Sequence, residues 1–291
     1  MGKIWLVTGS SRGFGRSLAE AILRHGDCVV ATARNLETLK DLQAEYGDRI
    51  LPFRLDVTDA AQGKAAIAAA VKTFGRLDVL VNNAGYALMG AVEELSDGQF
   101  AGQINANFWG VVHMCRAALP VMREQRSGYI MQFSSVGGRQ ANPGLSAYQA
   151  AKFAVEGFSE ALAQEIKPLG IRLTVIEPGG FRTDWGGESM AFAQPMVEYA
   201  PTAGAVAGYI RANAGHEPGD PSKAAQVLLQ LAEMAEPPLR LPLGSDAVGI
   251  LREIYRKNLV LLEEWAALSE STDFETKQSP EDVHPVLKIG T

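Results

Sequence analysis

The chain has 291 residues, 47% of them hydrophobic, and a formal net charge of −6 at pH 7. That length and apolar content suit one large α/β domain, and an acidic balance without any cluster of Lys and Arg argues against nucleic acid as a partner. No apolar run is long enough to span a bilayer and no signal-peptide pattern follows Met1, so a cytoplasmic protein with no membrane partner is expected.

Taken in order, strand-like runs alternate with amphipathic helical ones, the pattern of a parallel sheet covered on both faces. Ile4 to Thr8 reads as a strand, followed by a glycine-rich loop and a helix that stops at Gly26; Cys28 to Ala33 reads as the second strand. Asn35 is suited to cap a helix ending at Gly47, and Ile50 to Leu55 gives a third strand. Thr58 or Asp59 caps an alanine-rich helix stopping at Gly75, Leu77 to Val81 is the fourth strand, and Ser96 opens a long helix, broken near Asn107, that reaches Arg126. Tyr129 to Phe133 and Ile171 to Ile176 are further strands, with a helix from Ala147 to Ile166 between them. Residues 179–220 contain no predicted strand and read as a substrate lid. Beyond it a helix from Asp220–Pro221, a short strand at Leu239 to Leu241 and a helix from Asp246 to Leu268 complete one domain over residues 1–268, and residues 269–291 form a tail. The fold class expected is a doubly wound, Rossmann-like parallel sheet.

The chemistry gathers at strand ends. Tyr148 and Lys152 lie one helical turn apart and share a face, so the ammonium is expected to lower the phenol pKa and make it a usable acid or base. Ser135 ends the Tyr129 to Phe133 run. The loop Thr8-Gly9-x-x-x-Gly13-x-Gly15 joins a strand to a helix, which lets backbone N–H groups and the helix dipole meet a pyrophosphate. At the end of the second strand the sequence is Thr32-Ala33-Arg34, without the acid that binds a ribose 2′-hydroxyl, and Arg12 adds a second cation; NADP(H) is therefore the cofactor expected, with NAD(H) second. The two cysteines, Cys28 and Cys115, and the four histidines have no metal-ligand spacing, so no metal site is expected.

Together, Thr8-Gly-x-x-x-Gly-x-Gly15, Asn82-Asn83-Ala84-Gly85, Asn107, Ser135, Tyr148-x-x-x-Lys152 and Pro178-Gly179 resemble the short-chain dehydrogenase/reductase family, in its compact single-domain branch. The resemblance implies that Tyr148 passes a proton to or from the substrate oxygen, that Lys152 lowers its pKa and holds the nicotinamide ribose, that Ser135 bonds the carbonyl oxygen and that Asn107 supports a water relay. It also implies a cofactor wall of Gly9, Ser11, Arg12, Gly13, Phe14 and Gly15, then Arg34, Asp56 and Val57 towards the adenine, Asn83, Ala84 and Gly85 on the adenosine side, and Pro178, Gly179 and Thr183 at the nicotinamide. The leading expectation is an NADPH-dependent reductase of a bulky hydrophobic or aromatic ketone, because the lid carries Trp185, Met190, Phe192, Met196, Tyr199 and Tyr209 and few charges. An NAD-linked dehydrogenase of a hydrophobic alcohol and a non-catalytic dinucleotide sensor are the alternatives. The C-terminal extension resembles hydroxysteroid and retinoid dehydrogenases and departs from the common tetrameric members; a homodimer through the long helices around Asn107 and Tyr148 is expected instead.

Overall fold

A computed structural model of the chain describes residues 2–187 and 189–274. β1 (Ile4–Val7) is buried along its whole length, as a parallel strand covered by helices must be. It leads to α1 (Gly13–His25), which stops where Gly26 turns left-handed and donates to Ile22 and Leu23. After β2 (Cys28–Ala33) the Asn35 side chain accepts from the Glu37 amide, but the helix it caps starts as a 3-10 turn, Leu36–Leu39, before becoming α2 (Lys40–Tyr46). β3 (Ile50–Arg54) is followed by α3 (Ala60–Phe74), capped by the Asp59 carboxylate and closed by Gly75. β4 (Val79–Asn82) begins beyond Leu77, whose amide and carbonyl are bonded by the Gln125 side chain instead of by a strand.

β5 (Ala87–Met89) precedes α4 (Asp97–Ile104), where Ser96 and Gln99 form a capping box. The expected break near Asn107 is a π turn, Asn105–Trp109, through which α4 passes into α5 (Gly110–Gln125). Then come β6 (Gly128–Phe133), α6 (Ser146–Ile166), β7 (Ile171–Pro178), β8 (Met190–Phe192), α7 (Ala205–Asn213), α8 (Pro221–Glu233), β9 (Arg240–Leu243) and α9 (Ser245–Glu270).

Seven strands pair in parallel in the order β3-β2-β1-β4-β6-β7-β9, so the strand order reverses between β1 and β4 and opens a crevice at their C-terminal ends. The alternation of β1 divides the core: Trp5 and Val7 face one layer with Leu18, Ile22 and Leu228, while Leu6 faces the other with Leu80, Met114 and Ile130. The lid segment differs from expectation. It contains β8, which pairs in parallel with β5 through Ala87↔Met190, Leu88↔Ala191 and Met89↔Phe192. Three-residue strands are too short to show a period of two, which is why the sequence predicts neither.

The chain divides into two compact units after Ile250, within α9. Of the expected tail, residues 275–291 lie outside the described residues, and α9 runs on to Glu270. Among the described residues no helix is long and apolar enough to cross a membrane.

Candidate active site

Thr8 leaves β1 with its amide bonded to the Val81 carbonyl, and its hydroxyl donates to the same oxygen while accepting from the amides of Asn83 and Ala84 at 2.9 and 3.0 Å. The Asn83 side chain donates back to the carbonyls of Thr8 and Gly9, at 2.9 and 3.1 Å. These bonds fasten the end of β4 to the glycine loop and fix the width of the crevice. Within the loop Gly9 and Gly13 have φ of +72° and +55°, a region that favours glycine. A Cβ on Gly15 would lie 2.2 Å from the Gly9 carbonyl oxygen, so the start of α1 rests directly on the loop backbone.

A cavity of about 1100 Å³ extends from this loop across the ends of β4, β6 and β7 to the lid. Of the residues expected from the sequence, Gly9, Ser11, Arg12, Gly13, Phe14, Arg34, Asp56, Val57, Asn83, Ala84, Gly85, Asn107, Ser135, Tyr148, Lys152, Pro178, Gly179 and Thr183 all line it. Gly15 does not; it lies beneath the loop. Phe14 reaches the cavity while its ring packs on Phe133 and Phe181, with centroids 5.3 and 4.8 Å away. At the far end Arg34 shares a small depression with Arg54, Asp56 and Gln62. Arg54 is placed there because the register pairs it with Ala33 at the last rung of β2 and β3, a neighbourhood that no local motif reveals.

Ser135, in extended conformation beyond β6, accepts from the Gly137 amide at 3.0 Å. Tyr148 and Lys152 stand on the first turns of α6, both about 6% exposed. The Lys152 ammonium donates to the Phe133 carbonyl at 2.7 Å and lies 5.7 Å from the centre of the Tyr148 ring, and the Trp185 ring stands edge-on to that ring at 5.5 Å. The expected lowering of the phenol pKa is not what this environment gives. Burial pushes Tyr148 up to about 12 against the opposing hydrogen bonds of Ser135 and Trp185, and burial pulls Lys152 down to about 8 against the attraction of Glu156. Desolvation outweighs the hydrogen bonds to Tyr148 and the Glu156 attraction on Lys152 because both groups are enclosed together.

Asn107 is buried, and its amide is held at both ends by Tyr86, donating to the carbonyl at 2.9 Å and accepting from the amide at 3.2 Å. Gln103, which the sequence gives no reason to select, does parallel work: it donates to the Tyr86 carbonyl and accepts from the Leu88 amide. The two amides together hold the strand after Gly85 against the break between α4 and α5. Behind Lys152 an ionic chain built on the buried Glu156 and Glu177 joins α6 to the sheet. Glu156 accepts from Arg240 at 3.0 Å, Arg240 also binds Glu160, and Glu177 is held by Arg139 at 3.0 Å. Burial and the nearby Glu156 carboxylate raise the Glu177 pKa, opposed by Arg139 and Arg240.

The lid lines the cavity with fewer of its large side chains than expected. Trp185 and Tyr209 reach it, joined by Val206 and Ile210. Met190 and Phe192 instead pack with Ala87 and Met89, Tyr199 donates to Glu93 at 2.6 Å, and the Met196 amide is bonded by Glu94. Those three-residue strands draw the apolar lid residues towards β5.

A family model for the short chain dehydrogenases matches residues 3–193. An oxidoreductase, BOA17 of Botryotinia fuckeliana, is 48% identical over 270 residues, covering 92% of this chain and 98% of that protein. The crystal structure of a short-chain dehydrogenase from Streptomyces avermitilis superposes with a TM-score of 0.89 at 41% identity, covering 94% of this chain and 100% of the other. A serine dehydrogenase complexed with NADP+ superposes with a TM-score of 0.71 at 28% identity, over 82% of this chain and 94% of the other.

Proposed function

The chain belongs to the short-chain dehydrogenase family of oxidoreductases, and on that premise we propose that it is an NADPH-dependent reductase of bulky hydrophobic or aromatic ketones. The observation that carries this reading is one continuous cavity with Ser135, Tyr148 and Lys152 at its middle, a glycine loop at one end and Leu145, Trp185, Val206 and Ile210 at the other. The residues fit a dinucleotide: a Cβ on Gly9 would come within 3.0 Å of the Ala84 backbone, and Arg12, Arg34 and Arg54 gather positive charge where a 2′-phosphate would need it. The 2′-phosphate nucleotide named for the serine dehydrogenase agrees with that choice.

When bound, the nicotinamide supplies the hydride. The protein's share is positioning and protons. Ser135 and Tyr148 hold the carbonyl oxygen, and the Tyr148 hydroxyl delivers the proton as negative charge develops there. Lys152, charged below pH about 8, stabilises the resulting phenolate, and Asn107 supports the route by which that proton is replaced. Trp185, edge-on to the Tyr148 ring, and the apolar residues of α7 exclude water and select a large apolar substituent.

The test is consumption of NADPH and of NADH against bulky aromatic, alicyclic and small aliphatic ketones. The reading predicts preference for NADPH and for the bulky ketones, and Arg34→Ala with Arg54→Ala should cut the NADPH preference roughly tenfold or more. Equal use of both cofactors by the unaltered protein would count against the NADP assignment, and turnover of small ketones alone against the substrate class.

A further inference from the structure

The residue after Tyr148 carries a hydrogen-bond donor that the protein itself does not use. Gln149 stands on the first turn of α6, is only 2% exposed and lines the cavity. Its Oε1 accepts from the Asn142 amide at 2.8 Å. That bond fixes which way the carboxamide points, because a backbone N–H can only donate and must therefore face the oxygen. The Nε2 group is turned away from Asn142, and among the described residues it has no acceptor. It is not sealed inside the protein, and the little surface that Gln149 keeps lies on the cavity wall.

This donor sits beside the reacting centre. A Cβ on Gly137 would lie 3.3 Å from both the Ser135 hydroxyl oxygen and the Tyr148 ring and 3.4 Å from Gln149 Cγ, so the three side chains surround one point. The Gln149 amide donates to the Leu145 carbonyl at 2.8 Å, and Leu145 and Asn142 line the same wall. A carbonyl oxygen held by Ser135 and Tyr148 therefore brings the atoms next to its carbon up to Gln149. An enclosed donor without an acceptor is unfavourable, so a substrate that supplies one is favoured over an analogue that cannot. We propose that Gln149 is a specificity-determining residue, whose Nε2 donates to a second acceptor oxygen carried on the α- or β-carbon of the ketone, as in an α-diketone or a β-keto ester. Resting on the reductase reading of Ser135 and Tyr148, this narrows the bulky ketones to those with a polar oxygen close to the carbonyl that is reduced.

Two ketones of similar length test it: ethyl benzoylacetate, which has the second acceptor, and hexanophenone, which lacks it. Gln149→Met keeps the length of the side chain and removes the donor, and Gln149→Leu serves as a second variant, with circular dichroism confirming that each is folded. The kcat/KM for the keto ester divided by that for hexanophenone should fall roughly tenfold from its value in the unaltered protein. The intrinsic reactivities of the ketones cancel in this comparison, as does any loosening of the loop held through Asn142. Isothermal titration of both ketones into protein saturated with NADP+, where no hydride can be transferred, should show the same change in the ratio of dissociation constants. If neither ketone is reduced, the reductase reading fails while the titration still decides the role of Gln149. Equal losses for the two ketones in both variants would overturn the proposal and leave Gln149 as a brace for the Asn142 loop; so would failure of the unaltered protein to bind the keto ester.

Discussion

Replacing Gly15 by alanine presses on the contact that shapes the glycine loop. The new Cβ would sit 2.2 Å from the Gly9 carbonyl oxygen, 2.5 Å from the Asn83 amide nitrogen and 2.9 Å from the Gly9 carbonyl carbon. Non-bonded contacts of that kind are ordinarily more than 3 Å, so α1 must withdraw from the loop by roughly 1 Å. The neighbours cannot swing aside, since two are backbone atoms and the third is fixed by its bonds to the Thr8 and Gly9 carbonyls. Overpacking of this sort costs about 1–3 kcal/mol, and losing one of the Asn83 bonds adds about 1 kcal/mol, for a total of about 2–4 kcal/mol. Urea denaturation reads the loss, and NADPH fluorescence titration reads the accompanying distortion of the loop as weakened binding. A loss below about 0.5 kcal/mol with unchanged NADPH affinity would refute the claim that α1 rests on the loop backbone.

Gly157 makes the opposite case: it is exposed within α6, and a Cβ there meets nothing within 4 Å, so Gly157→Ala should raise stability by about 0.5–1 kcal/mol in the same denaturation assay. Lys152 links stability to function. Its pKa of about 8 lies below the ordinary 10.5, so folding disfavours the charged form and the cost is present at neutral pH, fading as the pH rises from 8 towards 10.5. Lys152→Met should therefore gain about 3 kcal/mol at pH 7, less about 1 kcal/mol for the bond to the Phe133 carbonyl, while abolishing turnover. Denaturation at pH 7 and pH 10 should show that gain shrinking at the higher pH; a variant equally destabilised at both would contradict it. Arg240→Met strands Glu156 and removes one of the cations beside Glu177, and a stability loss of about 3 kcal/mol or more at neutral pH is expected from the same assay.

The parts of the fold legible in the sequence are those with a local signal. Gly26 and Gly75 close helices with left-handed φ, Asn35, Asp59, Ser96 and Asp220 cap the turns that follow them, and the apolar runs of β1 and β2 fall within a residue of their observed ends. The residues of the cavity were legible because strand ends, helix starts and glycines carry them in fixed order. What was not legible depends on partners distant in sequence. Arg54 joins Arg34 only through strand register, Gln103 supports Asn107 only because both reach Tyr86, and Glu156 meets Arg240 across 84 residues. The direction of the Tyr148 shift is not legible for a related reason: spacing shows the neighbouring ammonium, whereas the burial that raises the phenol pKa is a property of the assembled molecule.

The most direct measurement of the central claim is Tyr148→Phe, assayed side by side for ketone reduction and for NADPH binding. The ring and its packing on Trp185 are kept and only the hydroxyl is removed. Turnover should fall by roughly 10²–10⁴-fold, the contribution of a positioned proton donor, with the NADPH dissociation constant nearly unchanged. Turnover within a few-fold of the unaltered enzyme, or a parallel loss of cofactor binding, would contradict the role assigned to Tyr148.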